Sequence, residues 1–192
     1  MLLLLGIALL FPAGVQVLSA QAGAASECHG EPLDQSGADQ PNWQMEYLTG
    51  TIDSDSIAGN GGPDVIVGYD GRDFLCGNDG DDFINGGSEN DYINGGQNDD
   101  EILGGDNNDE IHGATGKDDI SAEGGSDDDV HGEDSLDTVN GNFGNDNLWG
   151  EEYNDTIVGG ADTDTAHGGG EGANPPGDAC SAETEYQCES NP

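Results

Sequence analysis

Aspartate recurs through this chain with a fixed spacing: Asp55, Asp64, Asp73, Asp82, Asp91, Asp100, Asp109, Asp118 and Asp127 are nine apart, and after one inserted residue the series resumes as Asp137, Asp146, Asp155 and Asp164. Side chains that recur with the period of a stacked unit come to lie close together, and carboxylates about 5 Å apart repel by about 0.8 kcal/mol even at the dielectric of water. With 41 acidic side chains against Arg72 and Lys117, and a formal net charge of −39, the chain has almost nothing of its own to answer that repulsion. The implied counter-charge is a small cation. The donors on offer are hard oxygens: the aspartates, the backbone carbonyls of the intervening glycine turns, at Gly59, Gly61, Gly68, Gly77, Gly86, Gly95, Gly104, Gly113 and Gly141, and nearby Asn and Asp side chains. Flexible, oxygen-only sites with six or more ligands suit Ca²⁺ better than Zn²⁺, and Mg²⁺ prefers to keep its waters.

Glycine keeps step with the aspartates. Counting from the first glycine of each unit, position 6 is Asp and position 8 is aliphatic: Ile57, Ile66, Leu75, Ile84, Ile93, Ile102, Ile111, Ile120, Val130, Val139, Leu148 and Ile157, then Ala166. Low hydrophobicity, high net charge and 34 glycines would also describe a disordered chain. Neither disorder nor a merely solvated acidic face requires a fixed period, and thirteen units keep this one.

Each unit divides into a polar turn and a short extended half, as in GNDGDD followed by FIN (Gly77 to Asn85). Glycine supplies the positive φ angles of a tight turn, and in a strand of three residues the middle side chain points to one face and its neighbours to the other. Ile84 therefore points in, Phe83 and Asn85 out. So short a strand cannot stand alone, and units of this kind must stack. The expected fold is all-β, a parallel β-roll (a right-handed β-solenoid) with two nonapeptide units per coil. Asp55, Asp73, Asp91, Asp109, Asp127, Asp146 and Asp164 then line one edge; Asp64, Asp82, Asp100, Asp118, Asp137 and Asp155 line the other. At a rung spacing of about 4.8 Å the rod is roughly 30 Å long. One aliphatic side chain per nine residues is a thin core, so calcium binding and folding are expected to be one event.

The pattern G-G-x-G-x-D-x-U-x resembles the RTX, or hemolysin-type calcium-binding, nonapeptide repeat family. Gly77 to Asn85 and Gly141 to Trp149 are close matches, and the resemblance covers about residues 50 to 168. It implies one calcium between successive turns on each edge, held by position-6 aspartates and turn carbonyls. That makes six slots on one edge and five on the other, eleven in all, enough to bring the formal charge from −39 to −17. The chain is also similar to small exported bacterial members that begin with a Cys near the mature N-terminus, carry a Cys in an early repeat, here Cys76, and end in a short Cys-containing cap. Among the three connectivities open to Cys28, Cys76, Cys180 and Cys188, that likeness favours Cys28 with Cys76 and Cys180 with Cys188.

Outside the repeats, Leu2 to Leu18 is almost wholly apolar and is followed by small residues, the pattern of a secretory signal peptide. No Lys or Arg precedes the run, which leaves room for a start upstream of Met1. The expected organisation is a signal peptide (1–25), an N-terminal cap (26–49), the calcium-binding roll (50–168) and a C-terminal disulfide cap (169–192), in a secreted, extracellular protein with no membrane span after cleavage. The acidity excludes nucleic acid as a partner. A protein or glycan partner stays open, as an adhesive or surface-layer element or as an accessory module of a secreted enzyme on another chain.

Departures from the period carry expectations too. Position 4 is glycine at 62, 71, 80, 116, 125 and 144, but Glu89, Ser135 and Tyr153 stand there in other units, so weak calcium slots are expected at those three, and the unit from Ala122 to His131 carries one residue too many. Calcium affinity is expected to be higher around residues 59 to 118 than around 122 to 158. Leu48 and Glu46 fall at the repeat phase and suggest a degenerate first rung. At the far end Ala166 is too small to continue the core. Phe74, Phe83 and Tyr92 are expected to form one outward patch, covered by Trp43 and Tyr47. His112 and His131 should be neighbours, with His167 further along, yet as a zinc site they lack a third ligand. No Gly-x-Ser-x-Gly turn, H-E-x-x-H or phosphate loop is present, and calcium-bound carboxylates are poor general acids. The chain is expected not to be an enzyme.

Overall fold

A hydrophobic residue flanked by outward-facing ones, followed by a glycine, is the smallest extended segment that can both bury a side chain and turn. In the computed structural model every such segment is a strand paired in parallel with the equivalent segment two units on. The structure describes residues 27–28, 31–32, 35–36, 45–125, 127–170, 179–182 and 184–186. The proposed signal peptide, Trp43 and Cys188 lie outside them.

Strands are numbered in chain order. One sheet runs through β4 (Tyr47–Thr49), β6 (Val65–Asp70), β8 (Phe83–Ser88), β10 (Glu101–Asp106), β12 (Asp119–Gly124), β14 (Thr138–Phe143), β16 (Thr156–Ala161) and β18 (Ala179–Ser181). The other runs through β3 (Gln35–Ser36), β5 (Ser56–Gly61), β7 (Phe74–Asp79), β9 (Tyr92–Gln97), β11 (Glu110–Thr115), β13 (Asp129–Asp134), β15 (Asn147–Glu152), β17 (Thr165–Gly170) and β19 (Thr184–Tyr186). A small antiparallel pair, β1 (Glu27–Cys28) with β2 (Glu31–Pro32), lies at the N-terminal end, with β1 against β5 and β7. The fold is an all-β parallel solenoid, a β-roll with two units per coil. Among the described residues no helix is long and apolar enough to cross a membrane.

Between the sheets runs a single file of position-8 side chains, Leu48 to Ala166, each at most 1% exposed. In-register stacking brings like against like, Ile84 between Ile66 and Ile102. The strands are longer than three residues. Pairing continues past position 9 into the turn, so that Gly87 pairs with Gly105 as well as Ile84 with Ile102, because the rungs stay parallel around the bend.

The degenerate first rung is present: Leu48 pairs with Ile66 and closes the core, and Glu46 is buried at the aspartate phase. At the other end the core does not stop. Ala166 is fully buried, Cys180 takes the register of the aliphatic column opposite Ile157, and β18 and β19 add a rung to each sheet. A segment without the nonapeptide spacing thus covers the last coil with the same backbone pairing, which is how a solenoid avoids an open edge.

The expected outward aromatic patch is divided. Phe74 and Tyr92 are neighbours on the β7–β9 face, ring centroids 6.2 Å apart. Phe83 stands on β8 in the opposite sheet, in register with Val65 and Tyr47. Consecutive units alternate faces, so residues nine apart cannot share a surface. Tyr47 therefore lies on the Phe83 side.

Candidate metal centre: two columns of buried carboxylates

Position 6 lies where the chain leaves the turn and enters the strand, and its side chain points inward beside the first glycine of the unit. From Asp64 onward the aspartates in this position are at most 3% exposed, and Asp55 is at 9%. Burying a carboxylate is costly unless its oxygens are answered. One oxygen is. On one edge the backbone N–H of Asp55 donates to Oδ1 of Asp73 (2.8 Å), Asp73 to Asp91 (2.8 Å), Asp91 to Asp109 (2.9 Å), Asp109 to Asp128 (2.8 Å), Asp128 to Asp146 (3.0 Å) and Asp146 to Asp164 (3.1 Å). On the other edge Glu46 donates to Asp64 (3.0 Å), Asp64 to Asp82 (2.7 Å), Asp82 to Asp100 (2.8 Å), Asp100 to Asp118 (2.9 Å), Asp118 to Asp137 (2.9 Å) and Asp137 to Asp155 (2.9 Å).

The second oxygen is not answered by the protein. Oδ2 of Asp64, Asp73, Asp82, Asp91, Asp100, Asp109, Asp118, Asp128, Asp137 and Asp146 is buried without a hydrogen-bond partner. It faces a niche floored by the position-1 glycine and fronted by a carbonyl from the next coil. A Cβ on Gly59 would lie 2.7 Å from both Asp64 Oδ2 and the Gly77 carbonyl oxygen. Two oxygens of partial or full negative charge converge on this space, which is a cradle for a cation.

Electrostatics describes the same demand. Burial, partly offset by the backbone hydrogen bond from the preceding coil and reinforced by neighbouring carboxylates, pushes the acids well above the usual carboxylate range. Asp73, Asp82 and Asp146 rise to about 6, Asp64, Asp91, Asp118, Asp128 and Asp137 to about 7, and Asp100 and Asp109 to about 8. Without a cation the groups near 7 are about half ionised at neutral pH and those near 8, Asp100 and Asp109, mostly protonated. A divalent ion beside Oδ2 reverses that balance. Among the described residues no three His, Cys, Asp or Glu side chains converge by themselves, so a full coordination sphere has to draw on backbone carbonyls, as a Ca²⁺ site does. The donor set fits calcium.

Twelve of the thirteen expected aspartates occupy these columns. Asp127 does not. It is exposed, and its Oδ1 accepts a hydrogen bond from Asn145 Nδ2 at 2.9 Å, while Asp128 is 1% exposed and sits in the column. The extra residue of this unit falls in the turn, ahead of the aspartate, because the strand half admits no insertion without inverting its faces. The signal was legible: everywhere else Asp precedes the aliphatic residue by two, and Asp128 stands two before Val130.

Of the glycine carbonyls singled out, those of Gly68, Gly77, Gly86, Gly95, Gly104 and Gly113 front a niche. Gly59 and Gly141 floor their own niches, opposite the carbonyls of Gly77 and Gly159, and Gly61 instead faces the backbone of Asp79. The carbonyls of Ala122, Gly132, Gly150, Gly159 and Gly168 front niches too, beyond those expected from the sequence. Their units vary in other turn positions, but the backbone does not.

Position 4 has positive φ where glycine is replaced: 78° at Glu89, 108° at Ser135 and 82° at Tyr153. Position 2 carries the same constraint, with Tyr69 at 81°, Ala114 at 80° and Glu151 at 75°. Among the described residues position 2 holds eight of the fourteen non-glycine residues with positive φ, so position 4 alone identifies fewer than half of them.

Comparison with curated proteins finds no significant match. A family model for the RTX calcium-binding nonapeptide repeat (4 copies) matches residues 49–84, 77–111, 85–120, 94–129, 103–139 and 140–171, all of the two-sheet body from the first coil to the end of β17. Matched along most of its length and built with its aspartates in two stacked columns, the chain belongs to the RTX calcium-binding nonapeptide repeat family.

Proposed function

We propose that this is an exported calcium-binding repeat protein whose roll forms only when calcium enters the niches. The observation that carries the reading is the paired set of columns in which one oxygen of each buried carboxylate is held by the backbone and the other is left for an ion. Eleven slots, six on the edge of Asp55 to Asp164 and five on the edge of Asp64 to Asp155, follow from one ion between successive aspartates. Folding then takes place outside the cell, where calcium is on the order of millimolar. The role is structural and regulatory, not catalytic: the buried acids are occupied by the ion and are not available as proton donors.

Slots between residues 59 and 118 bind more tightly than those between 122 and 158. Supporting this, the residues other than Gly and Asn that hold positive φ are Glu123, Glu133, Ser135, Glu151 and Tyr153 in the second stretch, against Tyr69, Glu89 and Ala114 in the longer first one, a conformation that costs residues other than glycine about 1–2 kcal/mol. Two disulfides pin the ends, Cys28 with Cys76 and Cys180 with Cys188. Neither Cys76 nor Cys180 is a free thiol, and β1, which holds Cys28, lies against β7, which holds Cys76.

The test is circular dichroism of the mature chain, titrated with calcium and then with chelator. A disordered spectrum that converts to β over the micromolar to millimolar range and reverts on chelation supports the reading. A β spectrum indifferent to both additions defeats it.

A further inference from the structure

Position 9, the last residue of each strand half, points outward just before the glycine that floors the next niche. Some side chains there are held by neighbouring rungs. His112 stacks on His131 with ring centroids 5.0 Å apart and His131 on Trp149 at 4.6 Å, and the two Nδ1–H groups donate to Glu133 Oε1 at 2.8 Å and Glu151 Oε1 at 2.7 Å. In three units position 9 is asparagine instead, which gives the pairs Asn85–Gly86, Asn94–Gly95 and Asn140–Gly141.

The reactivity of such a pair follows from what the niche demands. A Cβ on Gly95 would lie 2.5 Å from Asp100 Oδ2 and 2.9 Å from the Gly113 carbonyl oxygen, and Gly86 and Gly141 are as closely fronted by Asp91 and Asp146. Only glycine fits. A residue without Cβ, however, also leaves its backbone nitrogen unhindered beside the side-chain amide of a preceding asparagine. Once that nitrogen gives its proton to base, it bonds to Asn Cγ, the Cγ–Nδ2 bond breaks, and ammonia leaves with a proton from solvent. The product is a five-membered succinimide. Water then opens the ring at either carbonyl, to aspartate or to isoaspartate, whose main chain runs through Cβ and Cγ and is one methylene longer.

Ring closure requires the asparagine to leave its extended ψ, and the roll resists that. Asn85 pairs with Val67 and Leu103, and Gly87 with Tyr69 and Gly105, so the Asn85–Gly86 bond is clamped between paired residues on both sides. Asn94 is held between Cys76 and His112, and Asn140 between Ser121 and Val158. The three glycines are buried. A fourth pair, Asn60–Gly61, occupies positions 2 and 3 of its unit, with Asn60 at φ 75°, and stands apart from this set.

We propose that Asn85, Asn94 and Asn140 are sites of spontaneous succinimide formation that the folded roll holds closed, so that a chain left unfolded converts them irreversibly to aspartate and isoaspartate. Isoaspartate at position 9 lengthens the backbone immediately before the niche glycine and moves that glycine out of register with the coils on either side. Where calcium holds the roll together, loss of calcium starts the conversion, and time spent without it limits how much of the protein can refold. For that trigger alone the inference rests on the function proposed above.

The experiment incubates the full mature chain in mildly alkaline buffer in three arms: excess calcium, chelator, and excess calcium with enough urea to abolish the β spectrum. Peptide mapping by mass spectrometry follows ammonia loss and isoaspartate at each site, and circular dichroism follows the fold. At all three sites conversion in urea should be at least about 10-fold faster than in calcium alone, since a reaction of the opened chain tracks the population of that state. Conversion in chelator should match that in urea. A β spectrum with slow conversion in chelator would defeat calcium as the trigger while supporting protection by the fold. After ageing in urea and dilution into calcium, the chains that refold, separated by size exclusion, should be depleted of isoaspartate at the three sites. The triple variant Asn85→Gln/Asn94→Gln/Asn140→Gln, whose glutamines would have to close a slower six-membered ring, should refold to a higher fraction than the wild type after the same ageing. Equal rates in calcium and in urea, or a refolded fraction as rich in isoaspartate as the unfolded one, overturns the proposal.

Discussion

The backbone N–H of Asp64 reaches 18 residues along the chain to Oδ1 of Asp82, 2.7 Å away, and leaves Oδ2 of Asp82 buried against the niche of Gly77. The two oxygens of one carboxylate thus have separate tasks, one joining coils and one facing the ion.

Separate tasks can be separated by substitution. Asp82→Asn keeps an acceptor for the Asp64 N–H but replaces the ion-facing oxygen, whereas Asp82→Ala loses both. The calcium midpoint of the β transition, read by circular dichroism, should rise several-fold in Asp82→Asn and further in Asp82→Ala. Exposed Asp81 one residue earlier serves as the control, and Asp81→Asn should leave the midpoint within twofold.

Asp127 and Asp128 offer an internal comparison. Because only Asp128 stands in the column, Asp128→Ala should raise the calcium midpoint and reduce the number of ions bound, measured by calorimetry. Asp127→Ala should do neither, and equal effects from the two would mean that the register at the inserted residue is wrong.

Backbone strain predicts stabilising changes. Glu89 and Tyr153 hold φ near 80°, where glycine bears no Cβ penalty. Glu89→Gly and Tyr153→Gly should each stabilise the calcium-loaded roll by about 1 kcal/mol, by the left-handed cost that they remove. Thermal unfolding in excess calcium checks this.

Acid should oppose calcium. The column aspartates from Asp64 to Asp146 have folded values raised to between about 6 and about 8, from the ordinary carboxylate value of about 3.8. In the absence of metal, the protonated roll is favoured below about pH 4, and that advantage is lost as pH rises through 6 to 8. Calcium must therefore displace protons in that window. The calcium midpoint should rise steadily as pH falls from 8 to 6, with proton release on binding, both measurable by calorimetry in buffers of different ionisation heat.

The period made most of this fold legible. A strict Asp-x-aliphatic spacing names the inward residues of both columns and of the core, since each constraint is local to one unit and repeats without exception. What escaped was of two kinds. Phe83 does not join Phe74 because units alternate sheets, a relation visible only once the coil is followed through two units. The C-terminal rung has no period to read, because Cys180 enters the core by backbone pairing with Ile157 and not by repeat chemistry. The same holds for the partners of His112 and His131: Glu133 and Glu151 lie 21 and 20 residues on, at a turn position that other units fill with residues as different as Gly, Asn, Tyr and Ala.

A coil of two units also makes length a quantised property of this rod. Removing residues 86–103, one full coil, would bring Gly104 where Gly86 stood and restore every column, so a gene that gains or loses 18 codons gives a longer or shorter rod of the same cross-section. Removing nine, residues 95–103, would still stack aspartate on aspartate. It would, however, exchange the two outer surfaces of everything that follows, carrying His112, His131 and Trp149 to the side of Phe83. The niches accept either change, but a surface that must stay continuous accepts only the first.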